Sequence, residues 1–206
     1  KFGFPADRTM RIAQDLYEGV EIDGERVGLI TYMRTDSLNL ADLAITQIRQ
    51  AIQDRFGKEH LPAKPIRYTS KVANAQEAHE AIRATDVNRT PERLAARLRS
   101  LSEGHYKLYD LIYRRGLACQ MKPAEVMRTS AEIEVEAAKK KLSFLATGKE
   151  ITFPGFLLAY VEDVDDAEAE LEGKERILPT LTKGQVVKLV SVEAKRHETK
   201  PPARYT

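Results

Sequence analysis

Residues 20–37 read VEIDGERVGLITYMRTDS, and they interrupt a chain whose pattern is otherwise mainly helical as far as about residue 118. The first three residues alternate in polarity, and Asp23-Gly24 is a dipeptide typical of a hairpin turn. We therefore predict a β-hairpin whose second strand runs over residues 26–32. Helices on both sides of a small hairpin are compatible with a winged-helix module, a common DNA-binding form.

Apolar residues recur at helical spacing on both sides of this hairpin. The spacing predicts helices over residues 9–18, over 40–56 with a buried stripe, and over 103–119. Thr90-Pro91-Glu92 combines a cap, a first-turn proline and an early acid, which marks the start of another helix. Asn74 followed by Glu77 resembles a capping box and predicts a short helix through Arg83. The residues expected to be buried are Ala41, Ala44, Ile45, Ile48 and Ile52 in the second helix, and Leu108, Leu111, Ile112 and Cys119 in the last.

After residue 121 the apolar period changes to two, which is typical of strands. Residues 129–136 alternate, 142–146 can pair with them, and 186–192 alternate again. The stretch 162–172 holds seven acids and is predicted to be a solvated loop. We predict an α+β fold of two domains: a helical, winged-helix-like domain over residues 1–118 and a β-rich domain over 119–206.

The composition excludes a disulfide-stapled protein, a cysteine-based zinc protein and a protein with a membrane-spanning helix in these residues. The chain has 206 residues, 42% of them hydrophobic, and a net charge of +2. Cys119 is the single cysteine, so neither an intrachain disulfide nor a cysteine-based zinc site can form. No apolar run approaches the ~20 residues of a membrane helix, and no signal-peptide pattern opens the chain. The chain begins at Lys1 without a methionine and stops at Thr206 within a motif-like stretch, so we expect a piece of a longer protein.

The sequence also limits the chemistry. It holds no glycine-rich nucleotide loop, so use of ATP or GTP has no support. Its four histidines are scattered, and no acidic cluster has the spacing of a metal site. The densest set of reactive groups is GLITYMRTDS, residues 28–37.

Tyr32 and Arg34 point to the same face of an extended backbone, and Asp36 follows if the strand continues. A phenol has an unperturbed pKa of about 10 and is a poor nucleophile at neutral pH. A guanidinium two residues away can stabilise a phenolate or hold a phosphate beside it. Thr31 and Thr35 add hydroxyl donors. The alternative is a half-buried strand tyrosine next to a structural Arg–Asp pair.

A second set of candidates is QEAHEAIR, residues 76–83. On a helix, His79 and Arg83 are neighbours and Gln76 lies one turn back on the same face, so the three can form a phosphate-binding surface. Alternatively, His79 and Arg83 pair with Glu80 and other acids at the surface.

These two motifs carry a resemblance that runs from end to end of the chain. GLITYMRTDS looks like the active-site tyrosine motif of bacterial type IA DNA topoisomerases, and AQEAHEAIR, residues 75–83, resembles a second hallmark of that family. Met33 and the EAHE pattern are closer to topoisomerase I than to topoisomerase III. Ala84 departs from the family, where proline is usual. Further similar residues are Thr9-Met10, Ala13-Gln14 and residues 16–19 near the start, and His197 with residues 199–205 at the end.

The resemblance implies a reaction and roles for the site residues. Tyr32 would attack a phosphodiester of single-stranded DNA and become joined to the 5′ phosphate. Arg34 would hold that phosphate and favour the phenolate, while His79 would bind or orient it. Asp36 would orient Arg34 or His79, and Thr31 and Thr35 are weaker candidates for phosphate contacts. Arg83, Gln76, Arg93 and Arg97 are the predicted DNA-binding residues.

The resemblance also implies what lies elsewhere. In this family Mg²⁺ is held by an acidic Toprim domain, which these residues lack, so we expect no metal site here and an inactive isolated chain. Residues 1–118 would be the tyrosine domain III, and 119–206 part of the arch domain II. The implied partners are single-stranded and negatively supercoiled DNA and the remaining domains of the same polypeptide. The implied protein is a bacterial, cytoplasmic, nucleoid-associated monomer without membrane contact. The alternative is a non-catalytic module that binds single-stranded DNA.

Overall fold

The computed structural model describes residues 2–68, 79–137, 140–160 and 177–194, together with residues 196 and 198. This part of the chain mixes helices with two small antiparallel sheets of two strands each, as the α+β prediction requires. None of its helices is both long and apolar enough to cross a membrane. The elements in order are α1 (Ala6–Glu18), β1 (Val20–Ile22), β2 (Glu25–Val27), α2 (Asp42–Phe56), a 3-10 turn (Lys58–His60), α3 (Pro91–Leu101), α4 (Glu103–Ala118), β3 (Glu125–Ala137), β4 (Lys140–Phe153) and a second 3-10 turn (Gly155–Leu158).

The predicted hairpin is confirmed, but its second strand is shorter than the sequence suggested. β1 pairs with β2 from Val20 opposite Val27 to Ile22 opposite Glu25. Asp23 and Gly24 make the turn with φ of 53° and 85°, the left-handed region that a tight hairpin needs. The strand ends at Val27, so the prediction of a strand through residue 32 is wrong.

The chain leaves the hairpin because it packs against the end of α1. The Leu29 N–H donates to the Leu16 carbonyl oxygen over 2.8 Å. Gly28 comes so close to α1 that a Cβ there would lie 2.7 Å from the Tyr17 carbonyl oxygen. Only glycine fits such an approach without movement of the backbone. Residues 28–32, hereafter the tyrosine segment, therefore lie against the end of α1 and do not pair with β1.

One core joins the tyrosine segment to all four helices. Leu16 of α1, Leu29 of the tyrosine segment, Ile52 of α2, Leu98 of α3 and Tyr109 of α4 are all fully buried. Complete burial of five large apolar side chains contributes about 1.5–3 kcal/mol each to folding. The four helices and the tyrosine segment share this core and are hereafter called the helical body. The backbone just before Tyr32 is thus held at its centre.

The apolar stripes predicted for the helices are confirmed in part. Four of the five expected residues of α2 are buried, while Ala41 lies exposed just before the helix. In α4, Leu108 is buried as predicted, but Leu111 and Ile112 are only half-buried, as is Cys119 directly after the helix. Tyr109 and Tyr113 are buried instead, because their hydroxyls find partners in the loop before α3. These are the carbonyl oxygens of Arg89 at 2.6 Å and Val87 at 2.7 Å. The start signal of α3 is confirmed, with the Thr90 hydroxyl accepting from the Arg93 N–H.

The prediction of a short helix ending at Arg83 is wrong for residues 79–83, the part of it that the structure describes. Residues 79–83 are irregular, and their main chain bonds to other segments instead of forming helical turns. The Ala81 N–H donates to the Asn39 carbonyl oxygen over 2.8 Å, and the Thr31 N–H donates to the Arg83 carbonyl oxygen over 3.0 Å. Tertiary hydrogen bonds have replaced local ones. The capping-box residues Asn74 and Glu77 lie outside the described residues, as do the acidic stretch 162–172 and the residues from 199 onward.

β3 and β4 form a long antiparallel ribbon, which confirms the strands predicted around residues 129–136 and 142–146. Ile133 lies opposite Phe144 and Val135 opposite Leu142, so apolar side chains share one face of the ribbon. The acids between them, among them Glu132 and Glu134, lie on the other face. The alternation of apolar and acidic residues in this part of the sequence therefore reflects a ribbon with one apolar face and one face that carries the acids.

The strand predicted over residues 186–192 is wrong. This stretch has no strand partner among the described residues, and Val186 and Val190 are 94% and 90% exposed. Alternation alone does not make a strand, because the hydrogen bonds of a strand come from a neighbour.

The base of the ribbon rests on the helical body. The Phe153 ring stacks on the His60 ring with centroids 5.0 Å apart, and the Lys122 N–H donates to the His60 carbonyl oxygen over 2.8 Å. Ala159 and Tyr160, beyond the second 3-10 turn, are buried in the helical core. The winged-helix arrangement and the division into residues 1–118 and 119–206 stay predictions.

Candidate active site

The tyrosine segment and residues 81–85 lie side by side, although about fifty residues separate them in the sequence. Ile30 and Ala84 form an antiparallel bridge. The Thr85 N–H donates to the Leu29 carbonyl oxygen over 3.0 Å, and the Thr85 hydroxyl donates to the Gly28 carbonyl oxygen over 2.7 Å. The two motifs singled out in the sequence are thus bound to each other by their main chains. Ala84, where a proline is usual in the family, takes part in this bridge as a buried residue.

This pairing brings Tyr32 against His79. The two rings have centroids 5.2 Å apart at an interplanar angle of 41°, and both residues are half-buried. On the other side, the Tyr17 ring of α1 meets the Tyr32 ring edge-on, with centroids 5.4 Å apart. Tyr32 therefore lies between an imidazole and a second phenol. The reasoning from residue chemistry missed Tyr17, whose only signal was its place in the family resemblance.

Arg34 and Asp36 are exposed, whereas Thr35 is half-buried. The Thr35 hydroxyl accepts a hydrogen bond from the Ser37 N–H over 3.0 Å, which closes a local turn. No hydrogen bond or ion pair joins Asp36 to Arg34 or to His79, all of which are described residues. The guanidinium of Arg34 forms no ion pair or hydrogen bond with any described residue. As far as these residues are concerned, it can therefore bind an anion.

Thr31 uses its hydroxyl to hold residues 81–83. The hydroxyl donates to the Ala81 carbonyl oxygen over 2.8 Å and accepts from the Arg83 N–H over 2.9 Å. Its one donor and one of its acceptor positions are therefore occupied by backbone. The phosphate contact predicted for Thr31 stays a prediction.

Arg83 pairs with Glu80, as the alternative interpretation of the second motif held, but the pair is half-buried rather than at the surface. The side chains of Arg83 and Glu80 are 15% and 28% exposed, and Nη2 lies 2.7 Å from Oε2. Arg83 also donates from Nη1 to the Ala84 carbonyl oxygen over 2.9 Å. Burial raises the pKa of Glu80, but the hydrogen bonds from Arg83 and from the Ala41 N–H, with the charge of Arg83, outweigh it and leave that pKa below its usual value. Sequence reasoning gave Glu80 no role of its own.

The remaining predicted DNA-binding residues lie elsewhere. Arg93 and Arg97 are exposed on α3. Arg97 donates from Nε to the Glu21 carbonyl oxygen of the hairpin over 2.6 Å, and Arg93 donates to the Asn88 carbonyl oxygen over 3.2 Å. Gln76 lies outside the described residues. The DNA-binding roles of these residues and of Arg83 stay predictions.

The side chains that could ligate a metal ion are scattered over the described residues. Within the described ranges, no group of three or more His, Cys, Asp or Glu side chains converges. The expectation that these residues hold no metal ion stays a prediction.

The whole length of the chain, residues 1–206, matches the DNA topoisomerase family, and the chain belongs to that family. Two relatives carry the name DNA topoisomerase 1. That of Rickettsia felis is 45% identical over 206 residues, all of this chain and 26% of the relative. That of Synechocystis sp. is 45% identical over 207 residues, all of this chain and 21% of the relative. The chain thus spans about a quarter of the length of such relatives.

The fold has a counterpart among solved structures. Full-length topoisomerase I from Thermotoga maritima superposes with a TM-score of 0.64 at 36% sequence identity. The match covers 81% of this chain and 25% of that one. The resemblance to bacterial type IA topoisomerases that the motifs indicated is confirmed.

Proposed function

We propose that this chain is the tyrosine-bearing part of a longer type IA DNA topoisomerase, which relaxes negatively supercoiled DNA without ATP. The observation that carries the proposal is the contact between the Tyr32 and His79 rings, 5.2 Å apart. Two motifs distant in sequence supply a nucleophile and a group able to bind an anion at one place. Neither motif alone would favour phosphoryl transfer over a structural role.

In the proposed reaction the hydroxyl oxygen of Tyr32 attacks a phosphorus atom of single-stranded DNA. A bond forms between that oxygen and the 5′ phosphate, and the bond from phosphorus to the 3′ oxygen breaks. The phenolic proton is lost, and the 3′ oxygen gains one. After another strand has passed, the 3′ hydroxyl attacks the phosphotyrosine and restores the original bond. Because one ester replaces another, the bond energy is kept and no ATP is needed.

Arg34 and His79 are the proposed partners of Tyr32. Arg34 is exposed and follows Tyr32 by two residues, so its planar guanidinium can hold two oxygens of the scissile phosphate. The same charge favours the phenolate over the phenol. His79, whose ring contacts that of Tyr32, would donate a hydrogen bond to a phosphate oxygen beside the attacking atom.

Other residues have supporting roles in the proposal. Asp36 and Thr35 follow on the same loop and would order the phosphate contacts once DNA is bound. Thr31 holds the two motifs together through backbone groups. The DNA strand would be held beyond the scissile phosphate by cations, and the candidates are Arg93 and Arg97 on α3, with Arg83 and Gln76 of the second motif.

The proposal places the remaining functions in other domains of the same polypeptide. Mg²⁺ would be held by a Toprim domain, which would supply electrostatic stabilisation of the reacting phosphate and the 3′ oxygen. The substrates are single-stranded and negatively supercoiled DNA. The protein would act as a monomer at the nucleoid in the bacterial cytoplasm, and the isolated 206-residue chain would be inactive.

The test is the covalent intermediate in the longer protein. Tyr32→Phe removes only the attacking oxygen, so we expect no protein–DNA adduct after rapid denaturation with labelled single-stranded DNA. Affinity for that DNA should stay within a few-fold, because most of it comes from cations on phosphates. Tyr106→Phe, on α4, serves as a matched control that also removes one phenolic oxygen.

Two outcomes would contradict the proposal. Adduct at the wild-type level in Tyr32→Phe would exclude Tyr32 as the nucleophile. Loss of the adduct in Tyr17→Phe, with an active Tyr32→Phe, would give the role to the neighbouring phenol.

A further inference from the structure

The carboxylate of Glu80 joins the start of α2 to Arg83, at the end of the loop of residues 79–83. Its Oε1 accepts a hydrogen bond from the Ala41 N–H over 2.6 Å, at the start of α2. Its Oε1 and Oε2 accept from Nε and Nη2 of Arg83 over 3.3 Å and 2.7 Å. The residue directly before it is His79, whose ring touches Tyr32. One side chain therefore connects α2 to the loop that carries His79.

The contact with Ala41 supplies a side-chain acceptor at the start of α2, where Ala41 itself has none. Ala41 is the residue before the first turn of α2, and an alanine side chain cannot accept a hydrogen bond from the turn. The first N–H groups of a helix need acceptors, and a negative charge there is stabilised by the helix dipole. From a distant point in the sequence, Glu80 supplies an acceptor for one of these groups, the Ala41 N–H, and a negative charge. The start of α2 and the His79 loop are thus held at a fixed separation.

The contact with Arg83 explains why the acceptor at position 80 is a charged carboxylate. The Arg83 side chain is 15% exposed, and its guanidinium also donates to the carbonyl oxygens of Ala84 and Thr85. A cation buried to this extent is costly unless an anion pairs with it. Glu80 thereby also holds the end of the loop that bonds to Thr31.

We propose that Glu80 is a positioning residue for the reaction: its carboxylate ties the His79 loop to α2 and to Arg83 and so holds the imidazole against Tyr32. Glu80 touches no reacting atom. The inference rests on the proposed function, because positioning matters only if Tyr32 and His79 act on DNA. A misplacement of about 1 Å in a catalytic group can lower a rate about 10²-fold.

The experiment uses the longer protein with three variants. Glu80→Ala removes the acceptor for Ala41 and the anion, and Glu80→Gln keeps an acceptor for Ala41 but loses the charge. Glu92→Ala is the matched control, because Glu92 also pairs with two arginines, Arg55 and Arg114, and lies on α3 without contact to Tyr32 or His79. Cleavage of single-stranded DNA is measured in a single turnover at saturating DNA, beside the dissociation constant and the thermal midpoint.

We expect Glu80→Ala to lower the cleavage rate constant about 10–100-fold and Glu80→Gln to lower it less, with DNA affinity within about threefold for both. Glu92→Ala should lower the thermal midpoint without lowering this rate constant. A wild-type rate in Glu80→Ala, or an equal loss in Glu92→Ala, would overturn the proposal. If Glu80→Ala does not fold, Glu80→Gln decides, and a wild-type rate in that variant overturns it.

A parallel measurement on Tyr32→Phe separates this inference from the proposed function. Cleavage by Tyr32→Phe would contradict both the proposed function and the inference about Glu80. Loss of cleavage in Tyr32→Phe, with full cleavage in Glu80→Ala, would remove the inference alone.

Discussion

Thr31 and Arg83 are joined by two hydrogen bonds that run in opposite directions. The Thr31 N–H donates to the Arg83 carbonyl oxygen over 3.0 Å, and the Arg83 N–H donates to the Thr31 hydroxyl over 2.9 Å. The same hydroxyl donates to the Ala81 carbonyl oxygen. Because Tyr32 follows Thr31 directly and His79 lies two residues before Ala81, this junction sets the spacing of the two rings.

We expect Thr31→Val to destabilise the helical body by about 1–3 kcal/mol, because it leaves the Arg83 N–H and the Ala81 carbonyl oxygen without their partner. Valine has nearly the shape of threonine, so the loss reports on the hydroxyl. The measurement is denaturant unfolding together with amide exchange at Arg83. Thr31→Ser keeps the hydroxyl and should keep the slow exchange. Equal stability of the valine variant and the wild-type chain would show that water replaces both bonds.

We expect Arg34→Lys to lower DNA relaxation by the longer protein about 10²–10³-fold, by analogy with the loss of one preformed charge-stabilising donor. Lysine keeps the charge but loses the planar fork that holds two phosphate oxygens. Relaxation of supercoiled plasmid measures the effect. Arg11→Lys, an exposed arginine of α1 paired with Asp7, is the control for a change of cation alone. Near wild-type relaxation by Arg34→Lys would mean that Arg34 supplies only charge.

We expect the 206-residue chain to bind single-stranded DNA weakly, with an affinity that falls steeply with salt. Its net charge of +2 supplies little long-range attraction, so binding depends on a few arginines that contact phosphates. For Z neutralised phosphates the slope of log affinity against log salt is about −0.7Z on a single strand. Titration at several salt concentrations gives this slope, and Arg93→Gln should reduce its magnitude by about 0.7 if Arg93 contacts one phosphate. An affinity that is the same at low and high salt would point to base stacking or to the absence of a site.

We expect the isolated chain to form no adduct with labelled single-stranded DNA, even with Mg²⁺. The leaving 3′ oxygen needs a proton or a nearby cation, and in the proposal both are supplied by the Toprim domain. A phenol without that environment is a weak nucleophile at neutral pH. Addition of a separate Toprim-containing fragment is the positive control. A strong adduct at Tyr32 from the chain alone would place the acid and metal functions within these residues.

Local patterns predicted the elements whose hydrogen bonds are themselves local. The apolar stripe of α2, the Thr90 cap of α3 and the Asp23-Gly24 turn were all visible in the sequence, because each depends on residues a few positions apart. The same reasoning failed at residues 186–192, where alternation was present but the described residues offer no neighbouring strand. It also extended the hairpin past Val27, because the close approach of Gly28 to Tyr17 depends on α1.

By itself, the sequence determined the family of this chain and named Tyr32, Arg34 and His79 as candidates, since ten consecutive motif residues are highly specific. Only the tertiary structure decided how the second motif meets the first. Residues 79–83 carry a helical pattern, yet they are irregular because their main chain bonds to Thr31 and Asn39 rather than to itself. Local propensity is worth less than about 1 kcal/mol per residue, so several tertiary hydrogen bonds and a half-buried ion pair can outweigh it. The contact between the Tyr32 and His79 rings is the result.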